Sequence, residues 1–104
     1  MGFLERLDRN IAKLEKRIAK EETRISQLEE KFENKKITKA KLNIEKRKIQ
    51  ERIKAMQSRI QTLRGITVKE KQRLEEKAEE KRKKEEEKEK KKAEKIKEEI
   101  EKEE

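Results

Sequence analysis

The sequence predicts an all-α protein: an antiparallel two-helix coiled-coil hairpin followed by a long, highly charged single α-helix. Three observations predict it. Leu4, Leu7, Ile11, Leu14, Ile18, Ile25, Leu28 and Phe32 recur at alternating steps of three and four, the period of a coiled-coil seam. A second series, Leu42, Ile49, Ile53, Met56, Ile60 and Leu63, begins after a few mostly polar residues, and so short a connection makes the helices antiparallel neighbours. From Lys69 onward almost everything is Lys, Arg or Glu, which suits a solvated helix with no partner.

Composition sets the outer bounds. Of 104 residues, 57% are charged, 28% hydrophobic and 2% aromatic. That is too little apolar material for a core several layers thick, but enough for a narrow helical seam. Proline, histidine, cysteine and tryptophan are absent. No disulfide framework, thiolate nucleophile or ordinary zinc or haem site can be built without them. No apolar run nears the roughly 18 residues of a membrane span, and no signal-peptide core is present. A soluble, cytoplasmic protein with no membrane association is expected.

The elements follow in order. With Leu4 at heptad position a, the first helix (about residues 3–33) has Leu4, Ile11, Ile18, Ile25 and Phe32 at a. Its d positions are Leu7, Leu14, Glu21 and Leu28. Asn34 is the expected left-handed stop. Thr38 is placed to cap the second helix (about residues 39–64), with Ile37 and Leu42 as a hydrophobic staple. In that helix d is Leu42, Ile49, Met56 and Leu63, and a is Lys46, Ile53 and Ile60. Folding it back pairs residues whose numbers sum to 74, so that Glu21 faces Ile53 and Lys46 faces Leu28.

The expected domains are then a hairpin over 1–64, a glycine-containing break over 65–67 and an extended helix over 68–104. Gly65 is read as the stop of the second helix. Thr67-Val68-Lys69-Glu70 has the spacing of a capping box, which would start a third helix near Val68. Within that third helix Glu79–Lys83, Glu80–Lys84, Glu86–Lys90 and Glu87–Lys91 are i,i+4 pairs in the favourable order.

Charge is distributed unevenly. Residues 1–35 carry nine basic and eight acidic side chains, a net of +1. Residues 36–68 carry ten basic and two acidic, a net of +8, and residues 69–104 carry fifteen of each. The positive field therefore belongs to the second helix. In the predicted register Arg24 lies near Arg52 and Arg17 near Arg59, which places four arginines in one groove without an internal counter-charge. Arginine suits phosphate because its planar fork donates two hydrogen bonds. Lys41, Arg47, Lys48 and Lys54 extend a basic stripe along the outer b and c positions of the second helix. These eight residues are the candidate nucleic-acid-binding set.

Other chemistry is excluded by what is missing. The glutamate runs lie on convex helix with no pocket to shift their pKa values. The two glycines cannot form a phosphate loop. No catalysis, cofactor, metal or small-molecule substrate is expected. Ile37-Thr38 followed by Leu42, Lys46 and Ile49 resembles the SHOCT motif of prokaryotic proteins, a short helical segment thought to serve oligomerisation. It departs from that motif at Lys36, where Gly is usual, and at Leu42, where Phe is common. The overall plan also looks like that of small ribosomal proteins built on a helical hairpin, an analogy of architecture alone.

The functional expectation is a basic coiled-coil protein that binds the phosphate backbone of structured RNA, associated with a ribosome or another ribonucleoprotein. The alternative is a self-associating scaffold or adaptor, a homodimer through the first helix. Ile at a with Leu at d favours parallel dimers, and Arg17 and Arg24 would there meet Glu22 and Glu29 of the second copy.

Overall fold

The computed structural model describes residues 2–103. It is all-helical, with α1 spanning Phe3–Glu33 and α2 spanning Lys39–Glu103, and no strand among the described residues. The chain divides into two compact units after Val68.

In the first unit the apolar period governs what is buried. Leu7, Leu14, Leu42, Ile49 and Ile60 form the core, and every one of them is an a or d residue. Leu4, Ile11, Ile18, Ile25, Leu28, Phe32, Ile53, Met56 and Leu63 are half-buried. Among the described residues no side chain is sealed completely. Among the described residues three ion pairs join α1 to α2: Glu29 with Lys46 at 2.8 Å, Glu21 with Arg52 at 3.0 Å and Glu15 with Arg64 at 2.9 Å. Their numbers rise on one helix as they fall on the other.

Arg64 pairs with Glu15 and not with Asp8, another acid on that flank of α1.

The connection between the helices is built from local hydrogen bonds. The backbone N–H of Lys36 donates to the carbonyl of Lys31 at 2.8 Å, and that of Lys35 donates to the carbonyl of Phe32 at 3.0 Å. These two bonds define a Schellman stop with Lys35 at its left-handed position, at φ 60°. Asn34, expected there, has φ −80°. The stop falls one residue later because Phe32, at a seam position, keeps Glu33 within the helix. Thr38 caps α2 as expected, its Oγ1 accepting from the backbone N–H of Lys41 at 3.2 Å. Ile37 is half-buried and Leu42 buried, as a staple requires.

No break occurs at 65–67, and no third helix starts near Val68. α2 passes straight through Gly65, which is not at positive φ. The hydroxyl of Thr67 donates to the carbonyl of Leu63 at 2.9 Å, a bond back into a continuing helix. In a capping box it would instead accept from Glu70. The heptad explains why. Counting on from Ile60 and Leu63, Gly65 falls at the outermost f position and Thr67 at the next a, where it is buried at 9% exposure. Seam burial on both sides of Gly65 outweighs its helix penalty of about 1 kcal/mol.

The second unit is a helical stretch of solvated charge. Every described side chain from Lys71 onward is exposed, Leu74, Ile96 and Ile100 included. Of the four expected i,i+4 pairs, Glu79–Lys83 closes to 4.0 Å, and the other three form no ion pair among the described residues. The tightest contact is a fork in which Arg73 Nε donates to Glu70 Oε2 at 3.1 Å and its terminal nitrogen to Oε1 at 2.7 Å. Those hydrogen bonds from Arg73 hold the Glu70 carboxyl below its ordinary pKa. Among the described residues no helix is long and apolar enough to cross a membrane.

Candidate functional site

The basic residues singled out by the sequence separate into three groups. Each group is decided by which acids reach it.

The first group is Arg24 and Arg52. They do not stand without a counter-charge. Glu21 lies between them, its Oε1 accepting from Arg24 at 3.0 Å and its Oε2 from Arg52 at 3.0 Å. The expectation of four uncompensated arginines is therefore corrected for this pair. Glu21 sits at a d position and points at Ile53 by register alone. Its side chain is long enough to leave the seam and place its carboxylate on the flank, where it is 12% exposed. A buried carboxylate without partners would be costly, so the polar seam residue and the flanking arginines satisfy one another. Lys46, a second charged seam residue, behaves alike: it reaches out to Glu29.

The second group is Arg17 and Arg59. They line one open groove of about 680 Å³ together with Lys13, Ser58 and Thr62. Neither arginine forms an ion pair or side-chain hydrogen bond among the described residues. All the side chains that line the groove are neutral or basic: Asn10, Lys13, Leu14, Arg17, Ala55, Met56, Ser58, Arg59 and Thr62. A like-charged exposed pair costs only a few tenths of a kcal/mol, so the fold tolerates it.

The third group is the outer stripe. Lys41, Arg47, Lys48 and Lys54 are all exposed. Lys48 comes within 3.7 Å of Glu45. Lys41, Arg47 and Lys54 form no ion pair among the described residues. Arg47 and Lys54 share a shallow depression with Gln50, Glu51 and Gln57. Lys31 lines one groove with Glu45, Arg24 and Arg52 but forms no ion pair among the described residues.

Two residues that matter here were not among the sequence candidates. Lys13 lies one turn before Arg17 on the same flank, a signal present in the i,i+4 spacing. Glu21 is a seam residue by its heptad position, with Arg24 at i+3 and Arg52 beside Ile53 both within its reach. Among the described residues no group of three or more His, Cys, Asp or Glu side chains could hold a metal ion. No known protein family, curated protein or solved structure matches the chain.

Proposed function

We propose that the first unit is an antiparallel coiled-coil hairpin whose second helix presents a basic surface to the phosphate backbone of structured RNA, in a ribosome or another ribonucleoprotein. The observation that carries this reading is the concentration of charge: a net of +8 over residues 36–68, with Lys41, Arg47, Lys48 and Lys54 exposed on α2. Such a surface neutralises phosphates and carries little sequence information. Base stacking contributes little, since the aromatic side chains are Phe3 and Phe32 alone. Phe32 is half-buried, and the ring of Phe3 has the Arg6 guanidinium 6.0 Å from its centre. The second unit balances fifteen basic against fifteen acidic residues and adds no net attraction. The protein acts by binding and does no chemistry of its own.

Filter binding to a structured RNA between low and moderate salt tests the reading. Affinity should fall steeply and linearly on logarithmic axes. Absence of binding at low salt removes the proposal.

The rival reading, a homodimer through α1, needs Leu7 and Leu14 as its seam. Both are already buried within one chain, Leu7 at 5% exposure, so that dimer would have to open the first unit. Light scattering at low micromolar concentration separates the two readings.

A further inference from the structure

The two arginine pairs are heptad repeats of one another. Arg17 precedes Arg24 by seven residues in α1, and Arg52 precedes Arg59 by seven in α2. Seven residues advance a helix by about 10.5 Å and return nearly to the same face. The two places on the flank therefore offer the same donors.

At one place the occupant is visible. The Glu21 carboxylate spans Arg24 and Arg52, one oxygen to each guanidinium. One heptad before Glu21 stands Leu14, which is buried and has no acceptor. The Arg17–Arg59 place thus has the cationic donors of its neighbour and lacks the internal oxyanion. Lys13 adds an ammonium to the same groove, Ser58 and Thr62 add hydroxyls and Asn10 an amide.

We infer that Arg17 and Arg59 form a site for an external oxyanion of the phosphate class, held between the two helices as Glu21 is held one heptad away. Phosphate fits better than a carboxylate. Its oxygens can accept from both guanidinium forks and from Lys13 at once, and charge-assisted bonds of this kind are the strong ones. The inference deepens the RNA reading by naming where one backbone phosphate sits, and free pyrophosphate carries the same chemistry.

Titration calorimetry with pyrophosphate at fixed ionic strength, run beside RNA filter binding, provides the test. The wild type should take one pyrophosphate. Arg17→Gln with Arg59→Gln should weaken that binding about tenfold or more. Glu21→Gln frees the other pair and should raise the stoichiometry to two. Leu14→Glu supplies the missing internal carboxylate and should abolish pyrophosphate binding; if circular dichroism shows it unfolded, the first two variants decide alone. Equal binding by wild type and the double arginine variant overturns the site, as does no pyrophosphate binding by wild type. Pyrophosphate binding without RNA binding supports the site and removes the RNA reading. RNA binding that survives in the double arginine variant, with no pyrophosphate binding by wild type, removes the site and leaves RNA to the outer stripe. Tighter binding of a Glu-rich peptide than of pyrophosphate overturns the phosphate class in favour of an acidic protein partner.

Discussion

Lys35 is the residue at which the turn between the helices is most easily improved. It holds the left-handed position of a Schellman stop at φ 60°, which disfavours a side chain because Cβ crowds the backbone. Lys35→Gly should stabilise the first unit by roughly 0.5–1 kcal/mol, the steric relief exceeding the entropy that glycine loses. Urea unfolding measures it, and a loss of stability would show that Lys35 is not left-handed. Three residues on, Thr38 has the opposite expectation. Its hydroxyl oxygen takes an N–H that would otherwise lack a partner, so Thr38→Ala should cost about 1 kcal/mol. Both side chains are exposed, so neither change disturbs the seam.

α2 is continuous through Gly65, which makes it an ordinary interior glycine with open space where a Cβ would go. Gly65→Ala should then stabilise by about 0.5–1 kcal/mol. At a helix stop with positive φ the same change would destabilise, so the sign of the shift in thermal midpoint separates the alternatives. Farther along the helix, Glu70 is held below its ordinary pKa by Arg73. A carboxylate lowered in the folded state supports structure fully above its unfolded pKa and gives up that support as pH falls through the lowered value. Far-ultraviolet circular dichroism of Glu70→Gln should therefore match wild type in strong acid and show less helix near neutrality.

At the scale of the whole molecule the charge is sorted along the sequence: near neutral over 1–35, +8 over 36–68 and balanced after Lys69. Each phosphate contact removed from an RNA binder lowers the magnitude of its salt slope by about 0.7–0.9. Changing Lys41, Arg47, Lys48 and Lys54 together to glutamine should therefore reduce the slope by about 3, with weakening that is uniform across RNA sequences. The thermal midpoint should move little, because these side chains lie outside the seam and, among the described residues, only Lys48 of the four has an acidic partner. A variant that keeps the wild-type slope would place the RNA surface elsewhere.

The helical class, the two seams and the Thr38 cap were legible in the sequence because each depends on spacing within a few residues. A three-four step buries one stripe whatever lies opposite, and a threonine before a helix caps it by local geometry. The position of the uncompensated arginines was half legible. Heptad counting brought Arg17 to Arg59 and Arg24 to Arg52, but it fixes only where side chains start. The Glu21 side chain leaves the seam and occupies one pair, and nothing in a periodic pattern says how far a flexible acid will reach. Gly65 and the Thr67–Glu70 spacing are local stop and start signals, and locally they read correctly. Burial overruled them, because Thr67 continues the seam on the inner face while Gly65 lies on the outer one. The sequence by itself thus determined the helical class and the apolar face of each seam. Tertiary packing decided that α2 continues through Gly65 and which arginines keep an acidic partner, since both follow from contacts between α1 and α2.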